Sequence, residues 1–147
     1  MQFMFYYCIS LEYLDISNFD TSKVTNFFEM FYGCSNLKSI NLSNFNTSNA
    51  KNMVGMFMSC ISLEYLDISN FDTTQVTKFQ SIFDNTNILK YINLYNAQID
   101  AIKSEIETII DESTMVCQKT DNNKITDKGI LRCCDYNLKT QSCPSII

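Results

Sequence analysis

Histidine is absent from the 147 residues, and glycine occurs only three times, at Gly33, Gly55 and Gly129. Without histidine, a serine or cysteine nucleophile lacks its usual general base. Three isolated glycines cannot build the glycine-rich loop that cradles a phosphate. We therefore expect no catalytic residues and no cofactor, and the chain is not predicted to be an enzyme.

Basic residues and long apolar runs are also scarce. The 11 Lys and Arg stand against 16 Asp and Glu, which gives a formal net charge of −5, whereas affinity for a phosphate backbone needs clustered basic side chains. No apolar run approaches the roughly 18 residues of a membrane span, and residues 1–8 lack the basic start and long apolar run of a signal peptide. Neither nucleic acid binding nor membrane insertion by this segment is expected.

What the sequence does contain is an internal repeat. The fourteen residues from Cys8 to Thr21 return unchanged from Cys60 to Thr73, and a more divergent copy starts at Cys34. A fixed step of 26 residues is typical of stacked repeats, in which each unit needs its neighbours to fold. The copies form three full units and a partial fourth, and the chain is expected to begin inside a repeat.

The hydrophobic period changes within each unit. Leu14 and Ile16 alternate with polar residues, as in a half-buried strand. A later segment has apolar residues at spacings of three and four, the pattern of a helix with one buried face: Val24, Phe27, Phe28 and Phe31. Between the two segments, the pair Asp20-Thr21 has side-chain oxygens suited to cap a helix. The pattern predicts strand-helix units.

The last unit departs from the pattern after Asn96, where Ala97 takes the place of a phenylalanine. Its isoleucines predict a longer cap helix with one apolar side: Ile99, Ile102, Ile106, Ile109 and Ile110. We therefore expect an α/β leucine-rich-repeat solenoid over residues 1–112, comprising a partial first unit, three full repeats and this capping unit. A small cysteine-rich tail is predicted over residues 113–147.

The repeat resembles that of the BspA-like leucine-rich-repeat surface proteins. The resemblance covers roughly residues 4–97 and rests on the pattern Met-Phe-x-x-Cys-x-x-Leu-x-x-Leu/Ile-x-Leu/Ile-Ser-Asn-Phe-Asp/Asn-Thr-Ser. It implies an extracellular or cell-surface protein concerned with adhesion to host matrix proteins, host cells or other microbes, without catalysis. Such a family is defined by its scaffold, so the resemblance identifies no particular ligand.

The candidate ligand-binding surface is the concave face of the predicted sheet, on the side opposite Leu14 and Ile16. It comprises Tyr13, Asp15, Ser39, Asn41, Tyr65, Asp67, Tyr91, Asn93 and Tyr95. Tyrosines supply contact area at low entropic cost and are enriched at binding hot spots, which favours a protein or glycan ligand. Duplication of one unit would also place identical residues side by side on a sheet face that is merely exposed to solvent and binds nothing. A structural spacer and an intracellular scaffold therefore remain alternatives.

Two groups of cysteines differ in context. Cys8, Cys34 and Cys60 repeat at one position, where strand spacing of roughly 5 Å permits a disulfide, but parallel side chains in a core favour buried free thiols. The tail cysteines are Cys117, Cys133, Cys134 and Cys143. Two disulfides are expected there, in one of three pairings, with the adjacent Cys133–Cys134 link disfavoured. A four-thiolate zinc site is the less favoured alternative, because no C-x-x-C pair is present, so no metal site is predicted.

The start of the chain is expected to leave an edge uncovered. Residues 1–7 end a unit whose own strand is absent, so the strand near Leu11 has no preceding neighbour. An unpaired strand edge beside an open apolar core promotes association. Self-association through this uncapped N-terminal edge is therefore expected.

We predict that, of the seven cysteines, three alkylate under non-reducing denaturing conditions and the four in the tail do not. The reason is that the periodic thiols are expected in a core and the tail cysteines in disulfides. Peptide mapping after alkylation measures the division. A bridge from Cys34 to Cys8 or Cys60 would refute it, and seven free thiols in protein from the native source would point to an intracellular scaffold.

Overall fold

The computed structural model describes residues 1–117, in which a four-stranded parallel sheet runs through stacked 26-residue layers. The strands are β1 (Ser39–Asn41), β2 (Tyr65–Asp67), β3 (Tyr91–Asn93) and β4 (Met115–Cys117), paired in that order. Upstream of β1, Tyr13 makes a single parallel bridge to Ser39. The predicted α/β class with a parallel sheet is confirmed.

The register of the sheet places equivalent residues of successive units side by side. Ile40 aligns with Leu66, and Leu66 with Ile92. These central residues are each at most 2% exposed, because alternate side chains of a strand point to one face. The predicted alternation of buried and polar strand residues is confirmed, and the core lies on this side of the sheet.

The predicted helix after each strand is wrong. Residues 27–34 form consecutive turns, in which Met30 N donates to Phe27 O and Cys34 N donates to Phe31 O. The third residue of each turn, Glu29 or Gly33, has a positive φ of 49° or 70°, as in type II turns. Turns that follow one another every four residues bury side chains at nearly helical spacing, which explains the misleading pattern.

Hydrogen bonds between layers replace the helical ones. Within the turn segment, alternate backbone N–H groups donate to the next layer, as from Glu29 to Val54 O at 2.9 Å and from Gly55 to Gln80 O at 3.1 Å. The predicted helix cap also serves this stacking: buried Thr21 Oγ1 accepts from Asn46 N at 2.8 Å and donates to Asn46 O. Asp20 closes a local turn by accepting from Ser22 N. The backbone is therefore satisfied across layers.

A column of phenylalanine rings crosses the core from layer to layer. The ring centroids of Phe5 and Phe31 are 5.4 Å apart, and those of Phe31, Phe57 and Phe83 follow at 5.5 Å. Interplanar angles of 2°, 7° and 4° show that the rings stack face to face with an offset. The 26-residue step therefore repeats the aromatic contact as well as the backbone register.

The C-terminal unit is less helical than expected. A 3₁₀-helix at Asp100–Ile102 leads into α1 (Lys103–Glu107), so the predicted long cap helix is wrong in length. Its five isoleucines are nevertheless buried as predicted. β4 adds a strand beside β3, so the sheet continues past the predicted boundary at residue 112. Neither helix of the described residues has the length and apolarity to cross a membrane.

We predict that Phe57→Ala lowers the free energy of unfolding by about 3–5 kcal/mol, because it removes the centre of the ring column and leaves a cavity. Urea unfolding followed by circular dichroism measures the change. Ile61→Ala is the control: its side chain is 49% exposed, so a change within about 0.5 kcal/mol is expected. Equal losses of unfolding free energy in the two variants would show that the ring column stabilises the fold no more than an exposed side chain does.

Candidate functional site

The solvent-facing side of the sheet, with the adjoining residues of the first unit, is the candidate site, and we call it the sheet surface. Tyr13 is 65% and Tyr95 42% exposed, and Asp15 and Asn41 are also exposed. Four further members are half-buried: Ser39, Tyr65, Asp67 and Asn93. Strand register joins Ser39 to Tyr65 and Asn41 to Asp67. The fold thus brings these eight predicted residues onto one face.

Tyr91 does not present its ring as predicted. It is only 3% exposed, although it stands in register with the half-buried Tyr65. Its neighbour on the other side is Met115 of β4, a strand that the repeat pattern does not predict. The expectation that Tyr91 is accessible to a ligand is therefore wrong.

The acidic and amide row has a structural task that the sequence analysis missed. The Oδ1 atoms of these residues each accept the backbone N–H two residues ahead, at 2.9–3.1 Å: Asp15, Asn41, Asp67 and Asn93. In β1, β2 and β3, the acceptor of this Asx turn is the last residue of the strand. Asn93 Nδ2 also donates to Asp67 Oδ2 at 3.1 Å. An Asp or Asn two residues before a serine, at Asp15, Asn41 and Asp67, was the available signal.

Charge alternates along one row beside the tyrosines. Lys38 Nζ lies 2.7 Å from Glu12 Oε2, and Lys90 Nζ lies 2.9 Å from Glu64 Oε1. Lys38 Nζ is also 5.9 Å from the centre of the Tyr13 ring, within cation–π range. The hydrogen bond to Glu12 raises the pKa of Lys38. These partly exposed pairs contribute little to stability, but they give the sheet surface both signs of charge.

The periodic cysteines are unpaired thiols, as favoured by their sequence context. Cys34 Sγ donates to Phe5 O at 3.0 Å and Cys60 Sγ to Phe31 O at 3.2 Å, while Thr86 Oγ1 makes the same bond to Phe57 O. Burial raises the pKa of Cys34 to about 11 and that of Cys60 further. Such thiols are poor nucleophiles, and their shared task is to hydrogen-bond the preceding layer.

Only one of the four cysteines of the predicted tail lies among the described residues. Cys117 is buried at the end of β4, whereas Cys133, Cys134 and Cys143 lie outside the described residues. The predicted disulfides therefore stay a prediction. Between Met1 and Cys117, no group of three or more acidic, cysteine or histidine residues is arranged to hold a metal ion.

A family model described as "Mycoplasma protein of unknown function, DUF285" matches residues 1–125. The match spans the whole sheet and every residue of the sheet surface. It corrects the resemblance to the BspA-like leucine-rich-repeat surface proteins, because the model that matches is that of a different family. Comparisons with curated proteins and with solved structures give no match. The description names no activity or ligand.

We predict that Asp15→Asn leaves the thermal midpoint at neutral pH close to that of the unmodified chain, whereas Asp15→Ala lowers it. Asparagine keeps the acceptor for Ser17 N–H and occupies the same position at Asn41. The bonds from the backbone N–H and side chain of Ser17 lower the pKa of Asp15 below 3.8. Its stabilising effect is therefore present above that ordinary value and lost as pH falls through the lowered pKa.

Both variants should consequently show a smaller loss of thermal midpoint on acidification than the unmodified chain. Glu107→Gln, which removes an exposed carboxylate from α1, controls for the change in net charge. The assignment fails if Asp15→Ala and Asp15→Asn have the same midpoint at neutral pH, because the turn would then not depend on the side-chain acceptor.

Proposed function

We propose that this chain, which belongs to the family described as "Mycoplasma protein of unknown function, DUF285", is a non-catalytic binding module that presents the sheet surface to a protein or glycan ligand. The observation that carries the proposal is the exposed ring of Tyr13, held beside the Lys38–Glu12 ion pair. An aromatic face next to charged groups of both signs is suited to stack on and hydrogen-bond a polar ligand.

We also infer that the stacked layers form a right-handed leucine-rich-repeat solenoid with the sheet on its concave side. The support is repetition: the bond from Lys38 N to Glu12 O recurs from Glu64 N to Lys38 O and from Lys90 N to Glu64 O. A constant step from layer to layer produces an elongated molecule with one continuous face. The sheet surface is that face.

The neighbours of Tyr13 define what the ligand must offer. Ser39 lies between Tyr13 and Tyr65 in the paired row, so the hydroxyl of a small residue separates two aromatic side chains. The Asp15 carboxylate accepts from the backbone N–H and the side chain of Ser17, and because a carboxylate has about four acceptor sites, the exposed Asp15 can still accept from a ligand. We therefore propose a ligand with a flat apolar patch flanked by hydroxyl or amide donors, as in a sugar ring or an exposed peptide loop.

For the location we propose the cell surface or the extracellular space. The proposal rests on the four tail cysteines, since disulfides persist in oxidising surroundings. An intracellular scaffold is the alternative if all thiols prove reduced. A structural spacer is the alternative if the sheet surface captures nothing, because solvated Asx turns alone would account for its polar row.

We predict that the double change Tyr13→Ser and Tyr65→Ser weakens capture of the ligand by about thirtyfold or more, the effect typical of losing aromatic anchors. Partners are first captured from host matrix and cell-surface extracts, and affinities are then compared by equilibrium binding. The control carries Ala at the exposed Lys23, Lys51 and Lys78, away from the sheet surface, and should bind normally. Loss of binding in the lysine variant alone, with both variants folded, would place recognition elsewhere.

A further inference from the structure

The ladder of hydrogen bonds between turn segments stops at the last junction of the stack. In the second unit, four N–H groups donate to carbonyls of the third unit at 2.8–3.1 Å: those of Met53, Gly55, Phe57 and Ser59. Their equivalents follow 26 residues later: Phe79, Ser81, Phe83 and Asn85. Within residues 1–117, no acceptor lies within hydrogen-bonding distance of these later N–H groups. Phe83 is only 3% exposed, so its N–H has little contact with bulk water and gains from an acceptor.

The donors are open because the fourth unit does not continue the turns. The third and fourth units are joined where Thr73 N donates to Gln98 O, and again where Leu89 N donates to Ile109 O, both at 2.8 Å. Between these points, the fourth unit forms the 3₁₀-helix and α1, whose carbonyls point along the helix axis rather than toward the neighbouring unit. We call the space between residues 73–85 and 98–107 the junction gap. Because bonded stretches border it on both sides, it is an internal feature of the stack.

A cavity of about 340 Å³ opens at the start of the junction gap. Ala101 helps to create this space, because the equivalent residue two units earlier is the longer Asn49, whose Nδ2 donates to Ser22 O at 2.8 Å. Alanine cannot make the corresponding bond to Thr74 O. The volume lies within the range of small-ligand sites. The lining is polar with an apolar patch: Thr73, Thr74, Val76, Gln98, Asp100 and Ala101.

Further along the gap, an apolar side chain and polar groups stand close together. Phe79 is half-buried and packs against the core, so part of it remains accessible. Asp84 and Asn85 are exposed at the other end of the donor row. From α1, Glu105 accepts from Ile82 N at 3.2 Å, and burial raises the pKa of its carboxyl, with a further contribution from Asp84. An oxygen acceptor that belongs to a side chain therefore already bonds to this edge.

The donor row suits a ligand that presents acceptors alone. A strand added to this edge would turn both N–H and C=O groups toward it. The carbonyls of the edge are used elsewhere, because Gln80 O and Ile82 O accept from the second unit and Ser81 O accepts from Asp84 N. The N–H groups of an added strand would therefore lose their partners, which disfavours an extended peptide as the occupant.

The charges around the gap disfavour an anionic ligand. Three carboxyl groups stand there, those of Asp84, Asp100 and Glu105, against the two ammonium groups of Lys78 and Lys103. An anion would be repelled by this excess of acid. A neutral hydroxyl can accept from an N–H and donate to a carboxylate at the same time, so it satisfies both kinds of group in the gap.

We propose that the junction gap binds a neutral oligosaccharide. One sugar unit occupies the cavity at Ala101, and the next lies on the accessible part of Phe79. Hydroxyl oxygens of the sugar accept from the N–H groups of Ser81 and Asn85, and a hydroxyl donates to Asp84. The gap shares no residue with the sheet surface, so this site is independent of the function assigned to that surface.

Amide hydrogen exchange in the unmodified 147-residue chain tests the open donors. After correction for intrinsic rates, the amides of Ser81 and Asn85 should exchange about tenfold or more faster than those of Gly55 and Ser59, because only the latter donate to a neighbouring unit. Equal protection of the two pairs would show that the row is closed, and the proposal would be wrong.

Binding is measured on the same chain by titration with maltohexaose, cellohexaose and N-acetylchitohexaose. At least one of these sugars should shift the amide NMR resonances of Ser81 and Asn85 and leave those of Gly55 and Ser59 unchanged. No shift with any of the three up to millimolar concentration overturns the proposal. Shifts caused by sodium sulfate or by the capped peptide TKTKTK, with none from the sugars, also overturn it and assign the gap to anions or to a peptide.

A variant that fills the cavity tests the position of the sugar. Ala101→Asn should raise the dissociation constant by about tenfold or more. It is expected to fold, because its amide can donate to Thr74 O as Asn49 donates to Ser22 O. The matched control, Asn49→Ala, makes the reverse change on an inner unit and should bind normally. A folded Ala101→Asn variant with unchanged affinity would rule out the cavity.

A second variant removes the acceptor of the sugar hydroxyl. Asp84→Met introduces the residue that occupies the equivalent position of the preceding unit, Met58, so it should keep the fold and weaken binding by about tenfold. Asp15→Asn, which removes one negative charge from the sheet surface instead, is the control for net charge. Unchanged affinity in both Asp84→Met and Ala101→Asn would contradict the proposed site even if the sugar binds elsewhere.

Discussion

Hydrogen bonding between layers is the constraint on which the rest of this structure depends. A layer has strands of only three residues and return segments made of turns, so the bonds inside a layer close only short turns, such as that from Met30 N to Phe27 O. Many of its other polar backbone groups find partners 25 or 26 residues away, as when Thr47 Oγ1 accepts from Asp72 N and donates to Asp72 O. Because each layer supplies the hydrogen-bond partners of the next, a substitution that tilts one layer would leave backbone N–H and C=O groups without partners in the layers on both sides.

This constraint also decides which polar side chains remain for binding. Side chains of Thr47, Asn44 and Cys60 all donate to the backbone of a neighbouring layer. The Asp and Asn residues of the sheet surface each spend one oxygen on an Asx turn. The hydrogen bonds that join the layers do not involve the outward ring of Tyr13, and this difference, more than exposure alone, locates the candidate site.

Short-range patterns predicted much of the fold, but long-range partners could not be read from them. The alternation around Ile40 and Ile68 predicted the strands because it reports directly which face is buried. The spacing of Phe27 and Phe31 suggested a helix because two consecutive turns bury residues nearly as one helical face does. Burial of Tyr91 depends on its position beside β4, which does not follow the repeat motif, so no signal within the repeat could have excluded it from the site.

The near-identity of the first and third full units raises the question of how the stack avoids wrong neighbours. Both carry glutamate where the intervening and following units carry lysine, and the structure pairs Glu12 with Lys38 and Glu64 with Lys90. If two glutamate-bearing units stacked directly, their carboxylates would face each other at strand spacing, which is unfavourable for like charges. Each pair adds little to stability because it is exposed to solvent, but the alternation distinguishes correct from incorrect stacking. The backbone pattern therefore repeats every 26 residues, whereas the alternation of glutamate and lysine repeats every two units. Backbone bonding alone would allow any two units to stack, and the alternating charges disfavour stacking of two glutamate-bearing units.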